Sequence, residues 1–304
     1  MPNQAMYQHL LIPIDDSEPA TALVGQAADL ARRLGARLTF LQVLPAQGAA
    51  AARELCAKAE AAARALGVPC SSLALAADDP GAAIAETASA QGCDLIMLAT
   101  HAEAQAVLRH GEHPLLVAAL SELPPPVRAI AVIRAEHRAL AAVLHAWSDL
   151  LASAVACQRA PDAAAMRMAL QYLRGFSRVQ HHPKETDLLF KLLSLRTTRL
   201  DAELCELERQ GERDAELLAE LHEAVERAAT SAEGVQPLQR LLSHYCDFMW
   251  DHLGREEGVV LPAAQRWLQA EDWAFLDMVY QGAQTMPFAH PSADAVLSVL
   301  QGAR

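Results

Sequence analysis

The sequence predicts two domains of different class: an α/β domain built on a parallel sheet, followed by an all-α, up-down four-helix bundle. Three observations carry this expectation. Short apolar runs alternate with helix-patterned segments as far as about residue 119; the stretch SELPPPVR (121–128) interrupts both patterns; beyond it, strand-like runs give way to four long amphipathic segments. The 304 residues are enough for two separate cores. A hydrophobic fraction of 52%, with only 14 Gly and 16 Pro, excludes a fibrous or disordered chain.

In the first domain, HLLIPI (9–14), RLTFLQVL (37–44), SSLALA (71–76), DLIMLAT (94–100) and PLLVAA (114–119) are short, continuously apolar and bounded by polar or turn residues. This is the pattern of strands buried on both faces. Helical segments are predicted between them at 19–35, 50–67, 80–92 and 101–111. The first three close on Gly35, Gly67 and Gly92, where a residue tolerant of positive φ can end a helix. Such a βα alternation folds as a parallel sheet covered on both sides.

Three consecutive prolines in SELPPPVR continue neither helix nor strand, so the segment reads as a stiff connection. The expected division is 1–120 for the α/β domain, 121–128 for the link, 129–284 for the bundle and 285–304 for a tail with a short helix. Bundle helices are predicted at about 127–158, 162–195, 199–229 and 236–258. Ile133, Leu140, Leu144, Trp147 and Leu151 form one apolar face of the first. Pro161 and Pro237 stand near helix starts, where a missing amide hydrogen costs least. Beyond the fourth bundle helix, 272–280 and 292–300 are expected to be helical and TMPFAHP a loop.

Asp and Glu number 37 against 25 Lys and Arg, a formal charge of −12 that argues against nucleic acid or an anionic membrane as partner. The six cysteines are scattered singly and read as reduced thiols. The amino-terminal segment lacks a targeting signature, and no later apolar run is read as long enough to span a bilayer, so a cytoplasmic location is expected.

The chemistry concentrates in the bundle. His181 and Glu185 in HHPKETDLLF stand four residues apart, and His252 and Glu256 in DHLGREE repeat that spacing, so each pair emerges from one helix face. Helices two and four of an up-down bundle run in the same direction, which sets the pairs at matching heights. His137 lies at the same end of the first helix. Imidazoles and carboxylates converging from several helices suit iron, manganese or zinc. The plainer reading is histidines at helix ends that face water or cap carbonyls.

Pro183 either bends the second helix, aiming His181 and Glu185, or ends one helix and starts another. His182 is assigned to the periphery, and Glu257, Asp247 and Asp251 to a solvated face. His145, His222 and His244 are read as separately hydrogen-bonded, and Tyr172, Phe176 and Trp250 as core.

IRAEH, HHPKETDLLF and FMWDHLGREEGVVLPAAQRWLQAEDWAFLD resemble the hemerythrin-like HHE cation-binding family, over about 130–285. The resemblance implies a bundle holding non-haem iron, one or two ions, with His137, His181, Glu185, His252 and Glu256 as ligands and dioxygen or nitric oxide as the gas bound. One position departs from the pattern. In ELERQGERDAELL, Gly211 occupies the place of the histidine that the third helix of the family contributes. The gap leaves either an open coordination position or a depleted site, with Glu208 and Glu212 as the nearest alternative donors.

YQHLLIPIDDSEPATALVGQAADLARRLGARLTFLQVL resembles the universal stress protein family, to about residue 119. Asp15 matches the acidic residue that follows the first strand in nucleotide-binding members. Asp16 replaces the usual glycine, and no glycine turn for phosphate follows strand four, so ATP is not expected. The domain then serves as a scaffold or homodimerisation unit. The leading expectation is a non-enzymatic, stress-associated iron protein that binds or senses dioxygen or nitric oxide. The alternatives are an oxygen- or peroxide-reactive iron enzyme and a structural module with a vestigial metal site.

Overall fold

The computed structural model describes residues 6–44, 49–118, 128–285 and 290–303. Residues 121–127 of the predicted proline-rich link, and 286–289 of the predicted tail loop, lie outside the described residues.

The first region alternates β1 (His9–Pro13), α1 (Glu18–Leu34), β2 (Arg37–Leu44), α2 (Ala49–Ala65), β3 (Cys70–Ala76), α3 (Pro80–Gln91), β4 (Leu95–Leu98), α4 (His101–Leu108) and β5 (Leu115–Val117). Its five strands form one sheet in the order β3-β2-β1-β4-β5. All pairings are parallel, with Leu11 of β1 opposite Thr39 on one side and Ile96 on the other. Every residue of β1 is buried, whereas β3 alternates between partial and full exposure, as an edge strand with one covered face does. Local signals set the helix ends. Ser17 accepts from the Ala20 amide to cap α1, and Gly35, Gly67 and Gly92 take φ of 67°, 70° and 65°, values unfavourable for residues with a side chain.

In a sheet of this order the direction in which strands are added reverses between β1 and β4, and the crevice beyond their carboxyl ends is where α/β proteins take ligands. After β1, Asp15 is exposed and accepts from the Ser17 amide at 2.9 Å. Beyond β4, Glu103 folds back so that one carboxylate oxygen accepts from the Ala99 amide at 3.1 Å and the Thr100 amide at 2.9 Å.

The second region is all helical. α5 (Arg128–Ala156) is followed by α6 (Ala163–Gly175), a π-helical segment Phe176–His181, α7 (His182–Lys184), a second π segment Glu185–Leu189 and α8 (Phe190–Arg196). These five pieces together make the predicted second helix. α9 (Asp201–Thr230) is the third, and α10 (Val235–Arg255), a π segment Glu256–Val260 and α11 (Leu261–Trp267) are the fourth. α12 (Ala270–Thr285) and α13 (Ala293–Gly302) complete the chain. The apolar face expected on α5 is buried throughout, from Ile133 at 1% exposure to Trp147 and Leu151 at 0%.

One expectation is corrected by α5. It is long and apolar enough to cross a membrane by length and composition alone. Charged residues within it, among them Arg134, Glu136, Arg138 and Asp149, break that length into shorter unbroken apolar runs. One face of the helix, from Ile133 to Leu151, is buried within the protein.

The chain forms two compact units: Met1–Pro125 with Met249–Gln265, and Pro126–Phe248 with Arg266–Arg304. The boundary falls inside α10, which is continuous from Val235 to Arg255. Within the first unit, glycines allow the 249–265 segment to approach α1 and α2 closely. A Cβ at Gly254 would run into the Lys58 backbone, and one at Gly258 into the Ala62 side chain. Beside them, the ammonium of Lys58 pairs with Glu54 at 2.8 Å and Glu257 at 3.6 Å. Arg64 reaches Asp251 at 3.2 Å. Glu257 and Asp251 therefore hold ion pairs rather than forming the solvated face expected of them.

Candidate metal centre

Three of the candidate ligands sit where helices change their winding. His181 closes the first π segment, Glu185 opens the second, and Glu256 opens the third. Pro183 explains the first. It has no amide hydrogen, and its ring crowds the carbonyl four residues back, so a regular α turn is unfavourable there. A π turn, bonding over five residues, relieves the crowding; the His182 amide reaches the Ser177 carbonyl. The second helix thus neither bends simply nor breaks at Pro183. It passes the proline between two widened turns.

His137, His181, Glu185 and Glu256 each present one donor atom, and these atoms all lie within 4.8 Å of one another. All four residues are buried, none more than 2% exposed. His137 Nε2 faces His181 Nε2 at 3.1 Å, and His181 Nε2 stands 3.2 Å from Glu185 Oε2. His137 Nε2 is 4.0 Å from Glu185 Oε1. His252 is also buried and lies 3.1 Å from Glu256 Oε1, but it is outside the group of four.

Sequence reasoning missed the residue that orients this group. Glu136, adjacent to His137, accepts from Nδ1 of His181 at 2.9 Å, from Gln180 Nε2 at 3.1 Å, and from the Lys184 ammonium. Burial pushes its carboxyl up, but the hydrogen bonds and charges of His181 and Lys184 outweigh burial and bring it down to about 2. A carboxylate can only accept, so Nδ1 of His181 carries the proton and Nε2 is turned toward His137 and Glu185. Phe176 stacks on the ring at 4.7 Å between centroids and holds its plane. The available signal was the Glu-His pair within IRAEH, which helical spacing alone does not mark as a contact to another helix.

With its Nδ1 protonated, His181 directs its Nε2 lone pair at Oε2 of Glu185, 3.2 Å away, and two acceptors this close repel unless a cation lies between them. His137 Nε2 meets the same nitrogen as donor or acceptor according to its tautomer. Two imidazoles and two carboxylates closing on one buried point fit a borderline divalent or trivalent cation. The residues present therefore suit the metal that the sequence resemblance implies.

The other candidates are placed elsewhere. Glu208 and Glu212 of α9 are exposed, so neither turns inward in place of Gly211. His222 and His244 are exposed and His145 is half-buried, so none of the three joins the buried group. Tyr172, Phe176 and Trp250 are buried, as expected of core aromatics. Burial and the nearby Glu136 charge push the Tyr172 hydroxyl up, so it stays protonated.

Residues 6–119 match the universal stress protein family and residues 128–264 match the hemerythrin HHE cation binding domain. Among solved structures, the chain is similar to a protein of the universal stress protein family from Burkholderia pseudomallei, at 26% identity. The match covers 38% of this chain and 98% of that one, with a TM-score of 0.34. It is also similar to the universal stress protein from Archaeoglobus fulgidus in complex with dAMP, at 20% identity over 37% of this chain and 98% of that one, with a TM-score of 0.33. No curated protein matches the chain.

Proposed function

We propose that this chain, a universal stress protein domain joined to a hemerythrin HHE domain, is a non-haem iron-binding, stress-associated cytoplasmic protein that binds or senses dioxygen or nitric oxide. The observation that carries the reading is the buried group His137, His181, Glu185 and Glu256, whose donor atoms lie within 4.8 Å of one another. His252, against Glu256, is the fifth proposed ligand. Bound iron would supply reversible coordination of a small gas. The protein's own part is to hold the donors in place. Glu136 sets the tautomer of His181, Phe176 fixes its plane, and burial keeps bulk water from competing for the donors.

The α/β domain is proposed as a scaffold that pairs two copies of the chain, without ATP. The absence of ATP is supported by the sequence between β4 and β5, which lacks the glycine turn whose amides would cradle a phosphate. Sedimentation of the purified chain with and without ATP tests both points: a dimer unaffected by ATP is expected.

Anaerobic iron loading followed by metal analysis tests the centre. Wild type is expected to retain iron, and the H181A/H252A double variant to lose it. Equally negligible iron in both proteins would overturn the reading. Exposure of the loaded protein to nitric oxide is expected to change its visible spectrum without turnover.

A further inference from the structure

We propose that His182 provides, from the second helix, the nitrogen donor that the third helix lacks at Gly211. This inference rests on the cation-binding reading above, and assigns a ligand role to a residue that helical spacing places at the periphery. Gly211 lies within α9, where Glu208 and Glu212 are exposed and the buried Asp214 accepts from the Tyr245 hydroxyl at 2.8 Å. Positions 208, 211 and 212 thus offer no inward donor, and the one buried carboxylate beside them is engaged by Tyr245.

The space opposite Gly211 is already taken by another imidazole. A Cβ built on Gly211 would stand 3.8 Å from Nδ1 and 4.0 Å from Cε1 of His182. That is ordinary van der Waals contact, so an alanine fits. A longer side chain would have to enter the volume of the His182 ring. A histidine at 211 and the ring of His182 are therefore alternative occupants of one space, and the glycine admits the second.

The local winding brings half-buried His182 closer to the direction of buried His181 than a regular α-helix would. On a regular α-helix, side chains at 181 and 182 diverge by about 100°. His181 closes a π segment, in which more residues share a turn and neighbouring side chains diverge less. His182 follows that widened turn directly and precedes Pro183. Its Nε2 is shielded from solvent, and its ring centroid lies 5.9 Å from that of His181. This separation is within the span of two imidazoles that serve one ion or two adjoining ions.

The test compares iron binding by wild type, His182→Ala, Gly211→Ala and the double variant H182A/G211H. Each is loaded anaerobically with ferrous iron, counted by elemental analysis and titrated against a chelator. Cobalt(II) absorption provides an independent readout of the ligand field. H182A is expected to bind iron about tenfold more weakly or worse, or to hold fewer ions, with an altered cobalt spectrum. G211A is expected to match wild type, and H182A/G211H to recover binding because its new imidazole enters the vacated space. Should H182A fold poorly by circular dichroism, His182→Gln takes its place in the comparison.

Wild-type iron count, affinity and cobalt spectrum in H182A would overturn the role of His182 while leaving the proposed centre intact. Absence of iron from wild type would overturn both.

Discussion

At the residue scale, the centre depends on a side chain that does not belong to it. Glu136 holds His181 through Nδ1 and is itself held by Gln180 and Lys184. Three second-helix residues, 180, 181 and 184, thereby converge on one carboxylate from α5, which fixes the direction of Nε2 before any metal arrives. Glu136→Gln keeps the size of the side chain but removes its charge and lets an amide donor face His181. Iron affinity is expected to fall about 10- to 100-fold, the usual cost of losing an orienting partner, while far-ultraviolet circular dichroism stays unchanged. Chelator competition measures the first effect. An E136Q protein that binds iron as tightly as wild type would show that packing by Phe176 alone orients the ring.

At the scale of elements, the second helix trades regularity for placement. Pro183 in a helix interior costs about 3 kcal/mol relative to an ordinary residue, and the π turn that precedes it accommodates it. Pro183→Ala restores an amide donor and removes the clash, so the segment can relax toward a continuous α-helix. The metal-free variant is expected to be about 1–3 kcal/mol more stable in urea denaturation and to bind iron more weakly, because His181, His182 and Glu185 lose their present directions. Unchanged affinity in a stabilised P183A protein would mean that the widened turns do not set the donors. The third π segment follows the same rule, since Pro262 stands two residues beyond its end as Pro183 stands beyond the first; the second has no such proline, and nothing in the structure explains its winding as directly.

At the scale of the whole molecule, one helix is shared by two units. Val235–Phe248 of α10 belongs to the second unit, while Met249–Gln265 clusters with the α/β domain. His252 and Glu256 are two residues away from Gly254 and Gly258 on either side, which on a helix means roughly opposite faces. The face with the candidate ligands is thus distinct from the face that packs backbone to backbone on α1 and α2. Gly258→Leu is expected to destabilise the protein by about 1–3 kcal/mol, as overpacking does, because a side chain there meets Ala62. Thermal melting and urea denaturation would register the loss; a G258L protein as stable as wild type would mean that this approach is not tight in solution.

Much of this was legible from the order of residues. Five strands, the αL glycines and the extents of the long helices follow from local patterns: continuous apolar runs, turn residues and 3.6-residue periodicity each act over a few neighbours. Observed strand ends fall within a few residues of those expected, with Leu95–Leu98 and Leu115–Val117 shorter than predicted because pairing, not hydrophobicity, ends a strand. The same local spacing singled out His137, His181, Glu185, His252 and Glu256. What only the tertiary structure decided are the relations between helices: that Glu136 reaches across to His181, that Glu257 pairs with Lys58, that four candidates gather while His252 stands beside them, and that His182 fills the space at Gly211. Periodicity states which face of a helix a residue occupies. It does not state which residue of another helix meets that face, because this depends on packing and on the winding that packing imposes.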